Sequence, residues 1–126
     1  MRDRKILLAE DDEMLASLLQ FWLEKEGYEV GIVSNGLEVK QSLEKALPDI
    51  MISDIMMPYF SGIELVGHIR NDLKANMPII LISSASNDEN ILNAFELGAN
   101  DFLSKPISPS ELLVRVSRAL KAVNTS

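Results

Sequence analysis

Short apolar runs alternate with longer segments of helical period along the whole chain, and this alternation most restricts how it can fold. Ile6-Leu7-Leu8-Ala9 is too short for a helix and suits a strand buried on both faces. Leu15, Leu18, Leu19, Trp22 and Leu23 then recur at helical spacing until Gly27 stops the pattern. Tyr28, Val30 and Ile32 alternate with polar or small residues, which predicts a strand with one wetter face, at an edge. Val39, Leu43, Ala46 and Leu47 predict a second helix closed by Pro48, and Ile50-Met51-Ile52 the next buried strand. Leu65, Val66, Ile69 and Leu73 form a third helical stripe, and Ile79-Ile80-Leu81-Ile82, entered through Pro78, the most apolar strand. Ile91, Leu92 and Phe95 predict a shorter helix ending at Gly98, Phe102-Leu103 a weak strand, and Leu112, Leu113, Val116, Ala119, Leu120 and Val123 a long amphipathic helix entered through Pro109. Five strand–helix units in strict alternation require right-handed parallel crossovers and an open sheet covered on both sides, a doubly wound α/β fold. The 126 residues are expected to form one domain, 1–126, with a frayed end at 124–126.

Composition removes several function classes. Twelve Lys and Arg against nineteen Asp and Glu leave a formal charge of −7, a poor match to direct nucleic-acid binding, which needs a basic footprint. There is no cysteine, so disulfides, thiolate metal sites and cysteine nucleophiles are excluded. The one histidine, His68, cannot build a multi-histidine metal site. No apolar run is long enough to span a bilayer, and the start of the chain is followed by only four apolar residues, so a cytoplasmic location with no membrane partner is expected.

In an open parallel sheet, ligands bind beyond the carboxyl ends of the strands. Glu10, Asp11 and Asp12 follow the first strand, Asp54 follows the third, Ser83 and Ser84 the fourth, and Lys105 the fifth. The second contributes only Ser34 and Asn35, which fits an edge outside the site. Clustered carboxylates are costly: two like charges about 4 Å apart repel by roughly 4 kcal/mol at an effective dielectric of about 20. A proton or a divalent ion must relieve that, and all-oxygen ligation points to Mg²⁺ or Mn²⁺ rather than Zn²⁺. With a lysine and a hydroxyl to hold the remaining oxygens, the chemistry suggested is phosphoryl transfer onto a carboxylate, Asp54 being the nucleophile.

Taken singly, each residue has an ordinary structural account. Asp12 reads as the N-cap of the first helix, Asp54 as a turn residue before Met56-Met57-Pro58, Ser83 as a cap or strand end, and Lys105 as a surface charge. His68 reads as a partly exposed helix residue with no chemistry and Trp22 as core. What favours chemistry is the convergence of these groups at four strand ends.

These residues carry a resemblance. The stretches ILLAEDDE at 6–13, DIMMPYFSGIEL at 54–65, PIILISSAS at 78–86 and GANDFLSKPISPSEL at 98–112, in that order, resemble a response-regulator receiver domain of two-component signalling, from Lys5 to about Ala122. The resemblance implies a flavodoxin-like sheet of order 2-1-3-4-5. It implies that Asp54 accepts a phosphoryl group from a histidine kinase or phosphotransfer protein, and that Asp11 binds Mg²⁺ directly and Glu10 through water. The main-chain carbonyl of Met56 would complete the protein ligands, while Ser83 and Lys105 hold phosphoryl oxygens. Phe102 stands at the position of the switching aromatic, the Lys105–Pro106 bond is expected to be cis, and a downstream protein target would read the face formed by the fourth helix, fifth strand and fifth helix. Glu10-Asp11 replaces a commoner Asp-Asp pair, Ser83 a commoner threonine and Phe102 a commoner tyrosine. The sequence leaves open a register in which Ser84 does the work of Ser83.

A haloacid-dehalogenase-like phosphatase is the alternative enzyme class, but its second Asp would fall at Met56. A phosphorylation-independent pseudo-receiver is the alternative binding module, and it would be favoured by loss of Asp54 or the acidic pair, both present here. The expectation is a signalling switch whose only catalysis is its own phosphorylation and dephosphorylation. Whether it stands alone or is part of a longer regulator stays open. Between Asp88 and Gly98 there is no Lys or Arg, which leaves Asp101 and Arg115 as an incomplete set for a salt-bridged dimer.

Overall fold

The computed structural model describes residues 4–84 and 88–124. Five strands, β1 (Lys5–Ala9), β2 (Glu29–Val33), β3 (Ile50–Asp54), β4 (Ile79–Ser83) and β5 (Asp101–Ser104), alternate with α1 (Glu13–Lys25), α2 (Gly36–Lys45), α3 (Gly62–Gly67), α4 (Asp88–Leu97) and α5 (Pro109–Asn124). The strands form one sheet of order β2-β1-β3-β4-β5, and every pairing is parallel. This is the doubly wound architecture expected from the alternation.

Successive side chains along each strand enter opposite cores. Ile6, Leu8, Ile50, Ile52, Ile80 and Ile82 pack with Leu19 and Leu23 of α1 and Leu112, Val116 and Leu120 of α5. Leu7, Ala9, Met51, Ile79 and Leu81 pack with Val39 and Leu43 of α2, Leu65 and Val66 of α3, and Ala94 of α4. All five residues of β3 and of β4 are buried, which is why these strands read as unbroken apolar runs ending in a polar residue. In β2 only Val30 is fully buried, as its edge position requires.

Several expected helical stripes end differently. α2 stops at Lys45, Ala46 is extended, and Leu47 is exposed rather than core. Pro48 disfavours helical backbone at the residue before it, so the chain leaves the helix early. The third stripe does not run to Leu73 as an α-helix: α3 passes into a π-helical turn at His68–Asp72, where the Leu73 N–H donates to the His68 carbonyl at 3.0 Å. The wider turn rotates Leu73 off the core face. In α4 Ala94 is buried, whereas Leu92 and Phe95 are 63% and 44% exposed. In α1, Leu18 is likewise exposed and Trp22 only partly buried. Asn124 is still helical in its main chain, and Thr125 and Ser126 lie outside the described residues.

Arg70, inside the π-helical turn, donates to the carbonyls of Gly98 (3.0 Å) and Ala75 (2.8 Å) and to Asn100 Oδ1 (2.8 Å). It thereby ties the end of the third helical segment to the α4–β5 connection. Among the described residues no helix is long and apolar enough to cross a membrane.

Candidate functional site

Register places the polar groups. Ala9 of β1 pairs with Ser53 of β3, which sets Glu10 beside Asp54. Asp54 pairs with Ile82, one residue before Ser83. Ser83 pairs with Ser104, and the Lys105 N–H donates to the Ser83 carbonyl at 2.9 Å. Three strand ends therefore meet around Asp54, with β1 on one side and β4–β5 on the other.

Local chemistry fixes each group. The Glu10 N–H donates to the Val33 carbonyl at 3.0 Å, and its carboxylate turns inward to accept the Asp12 N–H at Oε2 (3.0 Å). Asp12 caps α1 as expected, accepting the Leu15 N–H at 3.2 Å. Asp54 is 5% exposed; its Oδ1 accepts the Met56 N–H at 3.3 Å and its Oδ2 lies 2.9 Å from Lys105 Nζ. The start of α3 closes onto Asp54 because position 62 is glycine: a β-carbon there would lie 2.5 Å from the Asp54 carbonyl oxygen. Ser61 and Glu64 form a capping box that holds this helix start in place.

The carboxylates of Glu10, Asp11 and Asp54 each offer an oxygen within 4.8 Å of the others. Lys105 Nζ touches two of the three groups, Asp54 Oδ2 at 2.9 Å and Glu10 Oε1 at 3.1 Å. The contact to Glu10 is a close charge contact rather than a directed hydrogen bond, so the buried Oε1 receives no donor. Burial pushes the Glu10 carboxyl above its ordinary 4.5, and the Asp54 charge adds to the rise, against the lowering pull of the Asp12 N–H and Lys105. For Lys105, burial acts to lower the pKa, but the close contacts and charges of the Asp54 and Glu10 carboxylates outweigh it and hold the ammonium above its ordinary 10.5. With one ammonium against three carboxylates, two negative charges remain uncompensated. An all-oxygen set with that residual charge and a donorless buried oxygen fits a hard divalent cation.

The other predicted residues fall around this cluster. Ser83 is buried and Ser84 exposed. The Met56 main chain adjoins Asp54, while the residue as a whole is 72% exposed. Phe102 is partly buried and packs against the core on the α2–α4 side of the sheet. The Lys105–Pro106 bond is cis. The His68 ring contacts Asp72 on the same turn at 2.9 Å, and among the described residues it stands apart from the cluster's contacts.

One structural feature escaped the sequence reading. Gly36 N–H and Phe60 N–H both donate to the Pro58 carbonyl, at 3.1 and 3.0 Å, and the residue between Pro58 and Phe60, Tyr59, has φ 73°. This is a three-residue turn of the strained, positive-φ kind, in the loop that follows Asp54, and such backbone costs on the order of 1–3 kcal/mol. The available signal was a glycine at the first helical position, behind the Asn35 cap, where better helix formers serve.

The family description "Response regulator receiver domain" matches residues 6–117. The chain belongs to the response-regulator receiver family. Over 94% of its length this receiver is 35% identical to the alkaline phosphatase synthesis transcriptional regulatory protein PhoP of Bacillus subtilis and 38% identical to the transcriptional regulatory protein GltR of Pseudomonas aeruginosa. It spans 49% of each of those proteins, about half their length. A CheY-like response regulator receiver domain protein from Methanospirillum hungatei superposes with a TM-score of 0.93 at 27% identity, covering 98% of each chain. The Francisella response regulator 1452 receiver domain gives 0.89 at 30% identity, covering 96% of this receiver and 99% of that chain. The chain is thus a receiver domain of the two-component response-regulator kind, a signalling-switch family whose members work with histidine kinases and downstream targets in general.

Proposed function

We propose that this receiver is a phosphorylation switch in which Asp54 takes a phosphoryl group from a phosphohistidine donor, on a histidine kinase or a phosphotransfer protein in the cytoplasm. The observation that carries this reading is the buried Asp54 carboxylate at the end of the central strand, 2.9 Å from Lys105 Nζ and grouped with Glu10 and Asp11. One Asp54 carboxylate oxygen attacks phosphorus, the P–N bond to the donor imidazole breaks, and the released nitrogen keeps the bonding pair and takes a proton. The residues around Asp54 fit Mg²⁺, or Mn²⁺, held by Asp11, Asp54, the Met56 main-chain carbonyl and, through water, Glu10. A bound ion there supplies Lewis-acid stabilisation of phosphoryl oxygens.

The protein's own part is to hold Asp54 in place and meet the transferred charge. Lys105 is already charged and aimed at Asp54, so it pairs with a phosphoryl oxygen without reorganising. Ser83, buried at the neighbouring strand end, offers its hydroxyl to another. Drawn inward to the phosphoryl group, Ser83 frees space for Phe102 to turn, and the change is read at the face of α4, β5 and α5. On that face Arg115 binds Asp101 of the same chain at 2.5 Å, and α4 presents Leu92 and Phe95 to solvent. Both features favour apolar docking of a target protein over a salt-bridged dimer. Incubation with acetyl phosphate and Mg²⁺ should leave a base-labile phosphate on the protein that the Asp54→Asn variant lacks; equal labelling of both would overturn the assignment.

A further inference from the structure

The loop from Asp54 to α3 is held at its far end by α2, a helix that carries none of the groups of the acidic cluster. A β-carbon at position 36 would fall 2.6 Å from Phe60 Cβ and 2.8 Å from Phe60 N, and would also strike the Phe60 carbonyl oxygen. Only glycine lets the loop approach the helix this closely, and the approach brings the Gly36 N–H to the Pro58 carbonyl at 3.1 Å. From the next turn of α2, Lys40 places Nζ 3.6 Å from the centre of the Phe60 ring. The helix start is itself fastened: Asn35 Oδ1 accepts the Glu38 N–H at 2.9 Å, and Glu38 accepts the Ser34 N–H and hydroxyl at 2.7 and 2.9 Å. One residue earlier, the Val33 carbonyl accepts the Glu10 N–H at 3.0 Å. The β2–α2 connection therefore touches both chain segments that feed the acidic cluster, the one at Glu10 and the one after Asp54.

We infer that the start of α2, from Gly36 to Lys40, positions the phosphorylation site: Gly36 and Lys40 clamp Phe60, hold the positive-φ turn at Tyr59, and so fix the main chain at Met56 beside Asp54. Neither residue touches the reacting groups; both act through the loop. A strained turn relaxes unless its surroundings determine it, and here the determining contacts come from α2. The inference rests on the reading of Asp54 and its metal site given above, and concerns what keeps that site in shape.

The test measures Mg²⁺ binding by calorimetric titration of the unphosphorylated protein, the rate of labelling by acetyl phosphate, and stability by urea unfolding. Gly36→Ala should weaken Mg²⁺ binding about tenfold, the scale on which supporting groups act on a metal site, and slow labelling. The control is Gly67→Ala, another helical glycine, whose added methyl would meet nothing within 4 Å and which should leave Mg²⁺ affinity unchanged. Lys40→Met keeps the aliphatic stem but removes the cation, and should weaken Mg²⁺ binding roughly threefold, with Lys40→Arg restoring it. It also serves as the deciding variant if Gly36→Ala does not fold. A purely structural role would lower stability and leave the Mg²⁺ affinity of the folded protein at the parent value, and that result in Lys40→Met, or in a folded Gly36→Ala, would overturn the inference. A parent protein that binds no Mg²⁺ and takes no phosphoryl group would overturn the underlying reading instead.

Discussion

Lys105 extends from the end of β5 to bring Nζ within 2.9 Å of Asp54 Oδ2, joining strand ends that are 51 residues apart in sequence. The pair is largely buried, its side chains 21% and 7% exposed, and Glu10 shares the ammonium at 3.1 Å. Removing one partner of such a pair leaves charge buried without compensation. Lys105→Met should therefore lower stability by about 2–3 kcal/mol, with the partial exposure of Lys105 keeping it at the lower end. Mg²⁺ should recover part of that loss by supplying the missing positive charge. Urea unfolding with and without Mg²⁺ checks both effects, and a loss of equal size in both conditions would speak against a cation in the cluster.

Glu10 gives the metal-free protein a pH dependence of definite sign. Its folded-state pKa is raised, chiefly by burial, so the folded protein binds a proton more tightly than the unfolded chain does. Its contribution to stability is full below the ordinary value of 4.5 and declines as pH rises through the raised one. Comparing Glu10→Gln with the parent in the presence of chelator, the variant should gain relative stability between acidic and neutral pH. In Mg²⁺ the order at neutral pH should reverse, because the parent gains from the ion and the variant does not. A difference between the two proteins that is flat with pH would contradict burial as the cause.

Mg²⁺ should stabilise the fold by mass action. At ten times its dissociation constant an ion that binds only the folded state adds about 1.4 kcal/mol. The melting temperature of the parent should rise accordingly, while Asp11→Asn, which loses one carboxylate of the cluster, should barely respond. An equal rise in both would indicate binding elsewhere.

Activation should not produce a salt-bridged dimer. Arg115 is committed to Asp101 within the chain, and α4 carries no basic residue to complete such an interface. Light scattering behind size exclusion, with beryllofluoride as phosphoryl mimic, should show a monomer or a weak dimer insensitive to salt. A tight dimer that dissolves in high salt and in Arg115→Ala would contradict this, since salt screens exposed ion pairs and not apolar contacts.

The sheet was legible because β1, β3 and β4 are buried on both faces and therefore appear as consecutive apolar residues that end in a polar one or, in β1, are followed directly by Glu10. The convergence of Glu10, Asp11, Asp54 and Lys105 followed from the same strand ends once parallel order was assumed. Helix faces were less legible. Leu92 and Phe95 are apolar yet face solvent, and the close approach of α4 to the sheet is made by Ala94 with Ala99 beyond it, small residues that carry little weight in a hydrophobic stripe. Leu47 and Leu73 fit a helical period that Pro48 and the π-helical turn interrupt. The contact of Gly36 with Phe60 joins two elements distant in sequence, and no local pattern encodes which loop a helix start will meet.

The most direct test is to locate the phosphoryl group itself. After treatment with acetyl phosphate and Mg²⁺, borohydride reduction converts an aspartyl phosphate to homoserine, and peptide mapping by mass spectrometry identifies the position. Conversion is expected at Asp54 alone, with none in the Asp54→Asn variant. Conversion at Asp11 or Asp12 in the parent protein, or no conversion under conditions in which Mg²⁺ binding is confirmed, would contradict Asp54 as the acceptor.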